Sequence, residues 1–514
     1  MNPHRLARSG SLTFAFVVTG AVLAFVATLV VSNASGPAAA GQFFQVVALL
    51  AIATTLSTFG ADTGLVRAVP ALTARGRSAG VPAVLRIAAR PVLVLATAVA
   101  GTAALLVGIP GLVPVSAEVR SAVLLAAPFL VLGAVLNLAF GTLRGLHRVP
   151  TFSFLQNVLL PSLRVLGVIA VVALGGGLLS LTAAWTVPVV VVVVVALALV
   201  RRGVAAAGTQ DAGAAPEPHR EQSRAFWSFA SARGVTAVVE ALLEWLDVLL
   251  VAFFLGPAAA GVYGVVNRCI RVGTMLDHTA RIVTGPSISA ALAVDDVATA
   301  RSVFTRTTAV LVTGAWPFYL TLIVFGSTIL SFFGEGFESG YPALLVIASA
   351  MLLAVSAGGV QSLLLMAGRS RWQLMNKSAA LAVAVVLNLW LIPQWGLVGA
   401  ATAWAASVLT DTGLALFQSV RLLGIAPRWS VVGAIALAAA VVAGGGGLLI
   451  RALPVPDTAG LLVHLAVLGL AVGAAGAVLV RRARAAAAAA HDDLSPEETT
   501  ADPGPAVVPV NLHK

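Results

Sequence analysis

The chain has 514 residues, of which 59% are hydrophobic and 10% charged, and its mean hydropathy is +1.00. A soluble domain carries about 25% charged residues, so this composition excludes a water-soluble fold and predicts an integral membrane protein. The single cysteine, Cys269, excludes an intrachain disulfide, and a net charge of +11 on such a chain points to cytoplasmic loops rather than to nucleic acid.

A membrane-spanning helix needs about 20 apolar residues. In chain order the apolar runs predict an all-α protein of fourteen spans, at 12–31, 43–63, 90–108, 121–141, 153–174, 179–200, 226–255, 258–281, 307–330, 342–366, 378–393, 396–420, 430–450 and 460–480. With the N-terminus inside, 25 of the 31 basic residues fall in inner segments and only Arg120 and Arg451 in outer loops. That asymmetry supports an even number of spans with both termini cytoplasmic. The first run is about 20 residues, longer than the 7–15 of a signal peptide, and is read as a mature helix.

Two echoes suggest a duplication. Gly-Pro-Ala-Ala-Ala-Gly occurs at 36–41 and again at 256–261, and the basic loops Gly145–Arg148 and Gly368–Arg371 are offset by nearly the same distance. The polar, Pro- and Gly-containing segment 201–225 reads as a cytoplasmic linker. It divides an N-lobe (1–200, spans 1–6) from a C-lobe (226–420, spans 7–12), related by a pseudo-twofold axis along the membrane normal. Two further helices (421–484) and a disordered cytoplasmic tail (485–514) complete the prediction.

Burying one charge at the bilayer centre costs about 2.5–3.5 kcal/mol on insertion scales, so intramembrane charges demand a reason. The seventh span carries Arg233, Glu240, Glu244 and Asp247. At about 100° per residue these four fall within about 60° of one another on one helical stripe. Glu240 lies roughly 21 Å along its span, Arg268 and Arg271 about 15 and 20 Å into the eighth, and Arg164 about 17 Å into the fifth, just after the kink-prone Pro161. Four arginines and three carboxylates thus share a middle band. One reading is an aqueous cavity in which Arg164, Arg233, Arg268 and Arg271 bind an anionic head group while Asp247, Glu240 and Glu244 carry a coupling H+ or Na+. The other is an interlobe salt-bridge network without ligand. Asp62 and Asp411 read as capping or interhelical groups, and His278 and His464 as structural. Gly175–Gly177 and Gly444–Gly447 read as helix ends, and Gly396–Gly399 as close packing by small residues. No phosphate loop, metal cluster or nucleophile triad is evident, and no cofactor is expected.

Several segments resemble a known family. Asn388-Leu-Trp-Leu-Ile-Pro-Gln-Trp-Gly-Leu-Val-Gly-Ala-Ala-Thr-Ala-Trp404 is similar to a signature of prokaryotic polysaccharide exporters. Leu246-Asp247, Leu255-Gly256 and Gly261-Val-Tyr263 through Arg268 resemble that family's seventh-to-eighth helix turn, Phe333–Phe337 its outer loop before helix ten, and Gly41 through Gly60, Gly64-Leu65 and Arg67 its second helix. The resemblance spans most of 10–425 and points to the multidrug/oligosaccharidyl-lipid/polysaccharide (MOP) exporter superfamily, in its oligosaccharide flippase (Wzx-type) branch. It implies a two-lobed transporter that passes a polyprenyl-pyrophosphate-linked oligosaccharide between the leaflets of a bacterial plasma membrane, alongside glycosyltransferases and a glycan polymerase. Asp247 and Arg268 occupy positions where the family commonly has Asp and Arg. Other readings are a lipid II flippase, a cation-coupled drug exporter with Asp62 as its N-lobe carboxylate, and a polytopic glycosyltransferase. The last would need a catalytic acid in an outer loop, and the first such loop, Ser32–Gln42, has no charge.

Overall fold

A computed structural model describes residues 3–109, 112, 115–208, 219–294, 296–471 and 473, with the backbone alone for 3–11, 207, 208, 219 and 276–286. The central part of the expected linker, 209–218, and the expected tail, 485–514, lie outside the described residues. All regular structure among the described residues is helical. The N-terminal half comprises α1 (Pro3–Thr58), α2 (Ala61–Ala74), α3 (Val81–Gly108), α4 (Ala117–Gly145), α5 (Val149–Phe154), α6 (Leu160–Ala173), α7 (Leu178–Thr186) and α8 (Pro188–Gly208). The C-terminal half comprises α9 (His219–Leu255), α10 (Pro257–Ala293), α11 (Val297–Ser331), α12 (Tyr341–Ser356), α13 (Val360–Met366) and α14 (Ser370–Leu422). It is followed by α15 (Trp429–Ala439), α16 (Gly446–Arg451) and α17 (Asp457–Ala471).

Nine of the helical runs among the described residues are long and apolar enough to cross a membrane. The helical run Leu12–Thr58 has 47 residues and α14 has 53, which at 1.5 Å per residue is roughly 70–80 Å against a hydrocarbon core of about 30 Å. Each is therefore long enough to cross twice, bending at a glycine. Gly36 breaks α1 with φ 70° and ψ 177°, and Gly396 breaks α14 with φ 58° and ψ −133°. The outer loop expected at Ser32–Gln42 is thus a kink within one helical run. Gly256, between α9 and α10, has φ 85° and ψ 176°, nearly the conformation of Gly36. In both copies of the repeated hexapeptide a glycine takes a backbone shape that side chains disfavour, and the next residue, a proline, starts the following helix.

The two hexapeptides also pack on each other. A Cβ on Gly41 would lie 1.7 Å from the Pro257 carbonyl oxygen, and one on Gly261 would lie 2.0 Å from that of Pro37. Only glycine at both positions permits this approach of α1 to α10. A second crossing joins the halves near the arginine-rich connections, where a Cβ on Gly60 would meet the Ala230 carbonyl oxygen and one on Gly234 that of Phe59. Around the first crossing a core assembles from both halves, including Val31, Phe43, Phe44, Tyr263, Ile270, Tyr319 and Phe333. Many other large apolar side chains, such as Val94, Leu174 and Leu462, face outward; lipid rather than water is the solvent they require.

The remaining departures from expectation have local causes. The fifth span runs through α5, a π-helical turn at Leu155–Leu159 and α6. The turn ends just before Pro161, whose missing N–H frees a backbone acceptor. The tenth span is interrupted after Ser356, where Gly358 has φ 69°. Gly444 and Gly445 lie in a second π-helical stretch, Ala440–Gly445, and Gly446 and Gly447 open α16, so this run lies inside the thirteenth span rather than at its end. Gly399 packs against its own helix: a Cβ there would lie 2.2 Å from the Leu391 carbonyl oxygen, on the far side of the Gly396 break.

Candidate functional site

Two cavities flank the first arm of α1. The first has a volume of about 490 Å³ and is lined from α1, α4, α6, α7, α9 and α10, with Arg164, Trp185, Trp245 and Arg268 among its walls. Arg164 donates from Nε to the Trp185 carbonyl oxygen at 2.9 Å and lays its guanidinium 4.3 Å from the centre of the Trp185 ring. Arg268 stands 5.2 Å from the Trp245 ring centre, with no carboxylate in salt-bridge range among the described residues. The rings hold the planar cations by their negative faces, and both arginines line the cavity. Among the described residues no aspartate or glutamate lines this cavity. Charge here is positive only, in surroundings that are otherwise apolar or amide and hydroxyl.

The second cavity, about 520 Å³, is different in kind. It is lined by Glu240, Glu244, Arg268, Arg271, Lys377 and Asp411, three bases against three acids. Arg271 is ion-paired with the Glu244 carboxylate, donates to the Glu244 carbonyl oxygen at 2.8 Å, and stands 5.0 Å from the centre of the Trp245 ring. Lys377 Nζ lies 3.7 Å from Glu240 and 3.9 Å from Asp411, tying α9 to both arms of α14. Ala24 of α1 and Arg268 line both cavities, so Arg268 stands at their boundary.

The predicted stripe on α9 does not stay together. Glu240 and Glu244 reach the second cavity. Arg233 is exposed and lines neither cavity. Asp247 is buried at 5% exposure, accepting from Asn267 Nδ2 at 3.1 Å and from the Val248 N–H at 2.8 Å. The reason is that different neighbours cover successive turns of α9: Asn267 of α10 bonds Asp247, Arg271 of α10 pairs with Glu244, and Lys377 of α14 faces Glu240. Helical arithmetic on one element cannot see where its neighbour crosses.

Sequence reasoning missed Lys377, which it assigned to an inner loop, and gave Asp411 only a capping or interhelical role. Asp411 carried a usable signal, being a charge inside an apolar run. The indoles of Trp185 and Trp245 carried none. Asp62 makes an interhelical ion pair with Arg144 at 2.9 Å, and His464 is buried with Nε2 3.1 Å from Thr321 Oγ1.

Comparison with known proteins gives this geometry a family. A probable flippase of Haloferax volcanii, AglR, is 25% identical over 221 residues, covering 42% of this chain and 46% of that protein. The chain therefore matches less than half the length of this relative. Among solved structures, lipid II flippase MurJ in an inward closed conformation superposes with a TM-score of 0.71 at 10% identity, over 92% of this chain and 99% of that one. An inward-facing multidrug resistance MATE transporter of the MOP superfamily follows with 0.60 at 14% identity, over 83% and 98%. These likenesses establish the MOP transporter fold of a multi-pass membrane protein. The family described as polysaccharide biosynthesis protein matches residues 6–290, more than half of the chain, and the protein belongs to that family.

Proposed function

We propose that the protein is a transporter, not an enzyme, that moves a polyprenyl-pyrophosphate-linked glycan from the inner to the outer leaflet of a plasma membrane by alternating access. The observation that carries the reading is the first cavity: Arg164 and Arg268, each braced by an indole, with no acid among the described residues of its walls. A pyrophosphate has closely spaced oxygens that accept paired N–H donors, and a low-dielectric site without competing carboxylates favours it over water. A cationic drug would find the opposite of what it needs there. The description of AglR as a probable flippase supports the same reading. Both termini are assigned to the cytoplasm on the distribution of Arg and Lys, and the N- and C-lobes to 1–200 and 226–420. Glu240 and Glu244 are assigned to coupling by H+ or Na+, and Asp247 to the packing of α9 on α10.

The test is lipid extraction from cells with and without the protein, followed by mass spectrometry of polyprenyl-pyrophosphate species. Loss of the protein is expected to accumulate a full-length lipid-linked glycan, and Arg268→Ala to reproduce that accumulation while the protein still inserts. An unchanged lipid profile with intact surface glycans overturns the proposal.

A further inference from the structure

We propose that the N-terminal half contains a separate sugar-binding subsite, adjoining the anion-binding region and lying toward the arginine-rich side; this rests on the flippase reading above. A third cavity, about 240 Å³, is lined by Thr55, Thr58, Asn137, Gln156 and the Asp62–Arg144 pair, with two phenylalanines. Thr55, Asn137, Phe140 and Gln156 belong also to the first cavity, so the two adjoin.

The chemistry changes along this path. Arg164 and Arg268 present uncompensated positive charge. In the third cavity the one acid and one base neutralise each other at 2.9 Å, and the remaining polar groups are neutral amides and hydroxyls. Such a lining does not favour an anion. It offers donors and acceptors in alternation, which is what a polyhydroxylated ring presents in return. Phe140 and Phe152 pack edge to face at 5.4 Å and supply an apolar wall for the C–H face of such a ring.

Two features place amides in this cavity without satisfying them. The π-helical turn Leu155–Leu159 inserts one residue into the helical register, and such turns recur at functional sites. It carries Gln156, whose side chain is exposed to the cavity and makes no hydrogen bond among the described residues. Asn137 donates to Thr58 Oγ1 at 3.2 Å, which fixes the amide and leaves its carbonyl oxygen available. Gln156 precedes Arg164 by eight residues, about 12 Å of helix. A head group whose pyrophosphate rests on Arg164 and Arg268 would therefore lay its first sugars along Gln156 and Asn137.

The experiment measures binding to the full-length protein in lipid nanodiscs with two probes: bare undecaprenyl pyrophosphate, and the polyprenyl-pyrophosphate glycolipid extracted from cells depleted of the protein. The wild type is expected to bind the glycolipid more tightly than the bare carrier. Gln156→Leu, which breaks no internal bond among the described residues, is expected to lower glycolipid affinity about fivefold, the effect of one lost hydrogen bond, and to lower bare-carrier affinity by clearly less; Asn137→Leu is expected to show the same difference. Equal losses for both probes, or none for either, overturn the subsite while leaving the anion site standing. If no glycolipid accumulates, or the wild type binds neither probe, the flippase reading fails and the subsite with it.

Discussion

At the residue scale, Arg268 combines features that rarely occur together: a guanidinium at the boundary of two cavities, an indole beneath it and no carboxylate in salt-bridge range among the described residues. A lysine there would keep the charge but lose both the planar stacking and the paired donors. Arg268→Lys is therefore expected to weaken binding of undecaprenyl pyrophosphate about tenfold, the loss of about 1.4 kcal/mol of cation–π and bidentate interaction, as read by titration in nanodiscs. Lys377 is the contrasting case, since its ammonium is held between Glu240 and Asp411. Lys377→Met leaves two facing carboxylates without their shared cation. It is expected to lower thermal stability in detergent by about 1 kcal/mol, a value kept small by the long and partly solvated contacts. Adding Glu240→Gln is expected to recover most of that loss. Arg164 and Arg268 were legible in the sequence because a charge in an apolar run is conspicuous. Lys377 was not, because it lies near the start of its run, and only the fold brings it beside Glu240.

At the scale of elements, the repeated hexapeptide was visible as a duplication, but its purpose was not. The sequence contains the pattern of glycine, proline and small residues; it does not say that one copy touches the other. Packing makes the glycines of the motif unequal. Gly36 has open space around it and only its backbone angle excludes other residues, so Gly36→Ala is expected to cost about 1–3 kcal/mol. Gly41 faces the Pro257 carbonyl oxygen at 1.7 Å from a would-be Cβ. The obstacle is backbone, so α1 and α10 must separate, and Gly41→Ala is expected to cost more than about 3 kcal/mol. Gly413, helical, at ordinary φ and with nothing near it, is the control: Gly413→Ala is expected to be neutral or to stabilise by about 0.5–1 kcal/mol. Thermal unfolding of the three variants in one detergent measures the order. Helix breaks at Gly36, Gly256 and Gly396 could be anticipated from Gly and Pro, whereas the π-helical turn at Leu155–Leu159 could not, since it depends on how α1 packs beside it: a Cβ on Gly20 would lie 2.7 Å from the Asn157 carbonyl oxygen.

At the scale of the whole molecule, the backbones of the two halves approach each other closely at two crossings among the described residues, Gly41–Gly261 and Gly60–Gly234. In the proposed transport cycle at least one of these joints must open, because a substrate cannot pass two closed ones. Under that proposal the joint on the arginine-rich side is the one a substrate from the inner leaflet would meet first. There a Cβ on Gly64 would lie 3.1 Å from that of Ala230, a few tenths of an ångström inside the roughly 3.5–4.5 Å that a disulfide bridges, so the bond forms once the helices ease slightly apart and the Phe226 ring turns aside. The native Cys269 is buried and does not compete. In cells carrying Gly64→Cys with Ala230→Cys, oxidation is expected to cross-link the halves, stop glycan export and accumulate the lipid-linked precursor; reduction is expected to restore export. Continued export from a fully cross-linked population, judged by mass spectrometry of the tryptic peptides, would mean that this joint stays closed throughout the cycle. Movement would then have to occur at the Gly41–Gly261 crossing alone, where the closest approach of the two hexapeptides is between backbones.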